Sequence, residues 1–95
     1  MTSKQRAYLK SLASNLDTIF HVGKSSITPE FCESIREALE ARELIKINVL
    51  KNCMDDPKEI SIVLSERTGS EVVQVIGRKI VLYKPSKNNP KIILN

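Results

Sequence analysis

The chain has 95 residues, with 15 Lys and Arg against 11 Asp and Glu, a formal net charge of +4, 41% apolar and 27% charged residues. A chain of this length forms one domain and buries roughly 60–65% of its unfolded surface, which leaves little room for a deep substrate pocket. The composition argues against wholesale disorder, no apolar run is long enough for a membrane helix, and the positive excess permits attraction to a polyanion without establishing it.

The two cysteines, Cys32 and Cys53, form no C-x-x-C pair, and the single histidine, His21, is near neither in sequence. A zinc site needs about four such ligands, so no metal and no other cofactor is expected. Idle thiols suit a reducing compartment. The N-terminal stretch from Met1 through Arg6 is polar rather than an apolar signal core, and a cytoplasmic location is expected.

In chain order, Thr2 or Ser3 caps a first helix reaching about Leu16, with Tyr8, Leu9, Leu12, Ala13 and Leu16 at helical spacing. Lys4, Arg6 and Lys10 lie outside that stripe as a basic patch. A short strand over residues 19–22 runs into Gly23-Lys24-Ser25-Ser26. Thr28 and Pro29 start a second helix that reaches about Arg42. Residues 44–50 alternate as a strand. Asp56, Pro57 and Glu59 open a third helix with a box-like cap, and Gly69 closes it. Two further strands, Glu71–Ile76 and Lys79–Tyr83, flank the turn Gly77-Arg78. Pro85 ends the last strand, and the tail over residues 85–95 is expected to lie over the surface or to be partly mobile. The order αβαβαββ predicts a single α/β domain whose sheet contains parallel pairing and ends in an antiparallel hairpin.

Catalytic constellations are absent from this sequence. His21 sits in an apolar strand without an evident nucleophile, and there is no phosphate-binding Walker loop, dinucleotide fingerprint or H-E-x-x-H. No enzyme is expected. The loop after the first strand is a better candidate. Gly23 allows close approach, Lys24 adds a mobile cation, Ser25 and Ser26 bring hydroxyls, and a helix N-terminus follows. Together these make a phosphate-contacting platform. Arg78 and Lys79 at the hairpin tip are a second candidate, able either to track a nucleic-acid backbone or to protect a sheet edge. Arg36, Arg42, Lys46, Lys51 and Lys84 read as scattered. With Phe20 and Phe31 assigned to the core, the strands carry no platform of stacking aromatics, so contacts to backbone and shape are expected more than contacts to base edges.

Several stretches together resemble the CRM domain, named for chloroplast RNA splicing and ribosome maturation. They are Leu39-Glu40-Ala41-Arg42-Glu43-Leu44-Ile45-Lys46-Ile47, the run from Val75 through Gly77-Arg78-Lys79 to Ser86, the start through Leu9, and Ile19-Phe20-His21-Val22-Gly23-Lys24. The likeness spans nearly the whole chain and is to the stand-alone bacterial YhbY type. It implies a four-stranded mixed sheet with three helices, similar to the C-terminal domain of translation initiation factor three. It also implies binding to ribosomal RNA in precursors of the large subunit. In that family a G-x-x-G loop resembling that of KH domains contacts RNA. Gly23-Lys24 matches its first half, while Ser26 stands where the second glycine is expected. The expected partner is RNA, with no membrane, and a monomer suffices. A module docking on a ribosomal protein or assembly factor is the other reading, motivated by the acidic faces of the second and third helices.

Overall fold

The computed structural model describes residues 1–94. Its elements are α1 (Ser3–Ala13), β1 (Thr18–Val22), α2 (Pro29–Arg42), β2 (Leu44–Val49), α3 (Pro57–Thr68), β3 (Glu71–Ile76) and β4 (Lys79–Tyr83). The strands form one sheet in the order β1-β2-β4-β3, with β1 parallel to β2 and the other pairs antiparallel. This is the α/β architecture that the element order and the family resemblance imply, a four-stranded mixed sheet with three helices.

Local chemistry explains most boundaries. Thr2 caps α1 through a reciprocal box with Gln5. α1 stops at Ala13 rather than near Leu16, because the amides of Asn15 and Leu16 turn back to Leu12 and Ala13, three residues earlier, in a tightened last turn. Thr28 accepts from the Phe31 amide, and Pro29 opens α2. At α3, Asp56 accepts from the Lys58 amide, so the box-like partner expected at Glu59 gives way to a simpler cap. Gly69 closes α3 at φ +67, a left-handed position suited to glycine.

The sheet is covered on both faces. α2 and α3 pack on one face, where Ile35, Leu39, Ile60 and Leu64 meet Val22, Ile47, Ile80 and Leu82. Phe20 and Phe31 meet edge-to-face at its margin, with centroids 5.8 Å apart, and are partly buried. Both cysteines are free and buried on this side. α1 packs on the opposite face, setting Leu9 and Ala13 against Leu44, Val73, Val81 and Tyr83. β4 is consequently buried on both faces along most of its length. On the outer strand β3 the register shifts between Val72 and Gln74, and the Arg6 guanidinium donates to the carbonyls of Val72 and Val73 there.

The tail is held by two carboxylates rather than left loose. Glu43 is fully buried and accepts from the amides of Ser86, Lys91 and Ile92. Glu40 accepts from the Ser86 hydroxyl and from the amides of Lys87 and Asn88. Ile92 and Leu94 then pack against the α1-side cluster. Glu43 takes φ +67 at the end of α2, a conformation costing about 1–2 kcal/mol for a residue with a Cβ, which its three amide contacts offset. Burial pushes the Glu43 carboxyl up, but the amides of Ser86, Ile92 and Lys91 outweigh it and hold the group below its ordinary value of 4.5. Glu40 is also lowered, first by the Ser86 hydroxyl and then by the amides of Lys87 and Asn88.

Because both folded values are depressed, the tail anchorage is fully present above the ordinary value of 4.5 and is lost as pH falls through the lowered values. Hydrogen exchange at the amides of Lys91 and Ile92 is therefore expected to lose its protection on acidification below about pH 4.5, before the sheet opens. Glu43→Gln keeps the shape but turns a donor toward buried amides, and should destabilise the protein by about 1–3 kcal/mol in denaturant titration.

Candidate nucleic-acid interface

Parallel pairing of β1 and β2 brings their C-terminal ends side by side, and the β3–β4 hairpin reaches the same end, since Asn48 pairs with both His21 and Lys79. Residues 23–26, 50–55 and 77–78 therefore form one rim. Lys51, one of the cations scattered along the sequence, stands on this rim. The parallel pairing already implied by the element order was the signal that the loop after β2 lies beside the loop after β1.

A hydrogen bond from the Ser26 amide to the Gly23 carbonyl, 2.9 Å, closes the loop after β1 into a tight turn. Ser26 sits at φ +54, so the position where the family resemblance expects glycine keeps the left-handed backbone with a serine on it. Gly23 has no such requirement. A Cβ there would meet Asn52 Oδ1 and Leu50 Cδ1 at 3.6 Å, ordinary contacts. Neither backbone strain nor crowding inside the fold demands a glycine at this position.

The ladder between β1 and β2 continues as far as the Leu50 amide, which donates to the Val22 carbonyl at 2.8 Å. The next bond of a parallel ladder would run from the Lys24 amide to the Leu50 carbonyl. That carbonyl is already filled, by the Cys53 amide at 3.0 Å and by Arg78 Nη2 at 2.7 Å. Arg78 Nε also donates to the Val49 carbonyl at 2.7 Å. Among the described residues, the amides of Lys24 and Ser25 therefore have no acceptor. They stand at the turn beside the exposed Lys24 side chain, a set of donors suited to an anion.

Other expected contributions change in place or role. The Ser26 hydroxyl donates to Asp55 rather than standing free. Asp55, Glu59 and Arg67 line a groove behind the loop together with Ser26 and Ile60, so that side carries two carboxylates against one cation. The N-terminus of α2 offers less than the sequence implied, because Pro29 has no amide hydrogen and Thr28 takes the amides of Phe31 and Cys32. Arg78 is half-buried and braces the rim through its two carbonyl contacts. Lys79 is exposed in β4 and donates to Asn48. Lys4 and Arg6 are not joined to the loop. Arg6 is spent on β3, and Lys4 lies in a groove with Tyr8 and Ile93 by the tail. Lys10 is exposed, one helical turn beyond Arg6. The structure thus brings together residues 23–26 with Arg78 and Lys79, and sets the α1 cations apart.

Known proteins resemble this chain over nearly its whole length. The chain is 47% identical over 94 residues to "Probable RNA-binding protein YqeI" of Bacillus subtilis, covering 99% of this chain and 98% of that one. It is 32% identical over 87 residues to a protein of Haemophilus influenzae named "RNA-binding protein", covering 92% and 88%. The solution structure of the hypothetical protein SAV1595 from Staphylococcus aureus superposes with a TM-score of 0.83 at 52% identity, over 100% of this chain and 99% of that one. Residues 1–84 match the CRS1 / YhbY (CRM) domain, and the chain belongs to that family.

Proposed function

We propose that this protein is a non-catalytic RNA-binding module that grips backbone phosphate at the rim. The observation that carries this reading is the pair of unspent amides at Lys24 and Ser25, beside an exposed lysine and a glycine the fold itself does not need. An incoming phosphate takes the two amide hydrogens and the Lys24 ammonium, and Gly23 lets the sugar-phosphate chain lie against the turn. Lys51 and Lys79 widen the positive surface, while Arg78 holds it in shape. Ser26 sets the turn and faces away toward Asp55. Lys4 and Lys10 add long-range attraction from the other end of the molecule.

The RNA we assign is ribosomal, in precursors of the large subunit during ribosome assembly, on the strength of the CRM resemblance. The relatives named as RNA-binding proteins support RNA as the ligand class. A cytoplasmic monomer without metal or cofactor meets every requirement of such a module. Docking on an assembly protein through the exposed acidic side of α2, where Glu33 and Glu37 lie, is the competing reading. Particle binding that survives removal of accessible RNA would favour it.

Two variants separate a role in binding from a role in folding. Lys24→Ala should weaken binding to ribosomal RNA fragments and flatten the log–log salt dependence by about 0.7–0.9 for the lost phosphate contact. An unchanged affinity and slope would remove the loop from the interface. Gly23→Ala should leave the protein as stable as before, or more stable by about 0.4–1 kcal/mol, because its backbone accepts a Cβ. The same variant should lose roughly tenfold or more in RNA affinity if close approach is what the glycine serves, an effect of the size of one charge-assisted contact.

A further inference from the structure

α1 covers only part of its face of the sheet. It packs over Leu44, Val81 and Tyr83, and it leaves open the row formed by His21 on β1, Asn48 on β2 and Lys79 on β4. These three alternate with Val22, Ile47, Val49 and Ile80, whose side chains enter the core on the opposite face. His21 and Lys79 are exposed and Asn48 is half-buried. Ile76 pairs with Lys79 and extends the row onto β3 as an exposed apolar patch. His21 is two residues before Gly23, so the row begins roughly 6–7 Å along the strand from the phosphate-binding turn.

The three polar side chains are ordered by one another. Lys79 Nζ donates to Asn48 Oδ1 at 3.0 Å, which fixes the direction of the amide. Asn48 Nδ2 then points at His21 Nδ1, 3.4 Å away. With an N–H turned toward it, Nδ1 of His21 is the accepting nitrogen, and the proton of the neutral ring lies on Nε2. What remains available outward is mainly donors: the second N–H of Asn48, the Nε2–H of His21 and the spare hydrogens of Lys79. The imidazole and Ile76 add flat and apolar surface for stacking. A base that presents two acceptors fits such a row. Guanine does so through N7 and O6, whereas adenine sets its N6 amino donor beside N7.

We infer that the His21–Asn48–Lys79 row reads an unpaired guanine in the RNA strand whose backbone crosses the adjacent rim. This rests on the rim binding RNA, and adds base selection to it. Phosphate contacts at Lys24 carry affinity for any sequence, and the row carries the preference.

The test uses the full-length protein and three short RNAs: an all-uridine octamer and the same octamer with one central guanosine or one central adenosine. Anisotropy titrations of the wild type should show the guanosine octamer bound roughly fivefold or more tightly than the adenosine one, the size of a good bidentate contact. Asn48→Ala and His21→Ala should each collapse that ratio. Asn48→Asp, which replaces the outward donor with an acceptor, should move it toward adenosine. Lys24→Ala should weaken all three RNAs while keeping the ratio. Equal wild-type affinities for the guanosine and adenosine octamers, or a preference that survives both Asn48→Ala and His21→Ala, overturns the base-reading row and leaves phosphate binding at the rim standing. Failure of the wild type to bind any of the three, together with any ribosomal fragment, overturns both.

Discussion

One guanidinium decides what the rim can offer. Arg78 donates to the carbonyls of Val49 and Leu50, and the Cys53 amide fills the remaining acceptor position on Leu50. With that carbonyl saturated, the parallel ladder between β1 and β2 cannot extend to Lys24. The Lys24 amide, which continued strand pairing would have consumed, is left without an acceptor among the described residues, as is the Ser25 amide at the centre of the turn. The hairpin turn is tied down by the same bonds, because the Arg78 carbonyl in turn accepts from the Val49 amide. Arg78, the second nucleic-acid candidate of the sequence, is thus committed to backbone carbonyls and braces the rim.

The second constraint is unequal coverage of the sheet. Two helices fill one face, while the single short helix α1, with the tail residues Ile92 and Leu94 beside it, fills only the far part of the other. Burial thus ends where the rim begins, and polar side chains on three neighbouring strands can face solvent in register. A longer first helix, of the kind its apolar spacing invited as far as Leu16, would have more residues to lay across that face.

The architecture was largely legible in the sequence because its signals are local. Thr28-Pro29, Asp56-Pro57 and Gly69 mark helix ends, and alternation in residues 44–49 marks a strand without help from tertiary structure. The tail was harder to read. Glu40 shares a helical spacing with Glu33 and Glu37, and nothing in that spacing tells that it binds amides of residues 87 and 88 while Glu33 pairs with Arg36. Glu43 is a harder case, since a buried carboxylate at positive φ contradicts both burial and backbone preferences until its three amide donors are seen. At the candidate site, the loop was visible but not its wiring. The destination of the Ser26 hydroxyl, the commitment of Arg6 and Arg78 to carbonyls, and the alignment of His21 with Asn48 all depend on pairings between segments far apart in sequence, which composition and periodicity do not encode.

The placement of Arg6 bears on how these molecules behave at high concentration. β3 is an outer strand, and an outer strand with free carbonyls is a template on which another chain can add. By seating a charged guanidinium on the carbonyls of Val72 and Val73, at a point where the register already shifts, α1 blunts that edge with a fixed positive charge. The opposite edge, β1, is short and carries the exposed Ile19. Strand addition at β3 is thereby disfavoured, and β1 is the less guarded of the two edges.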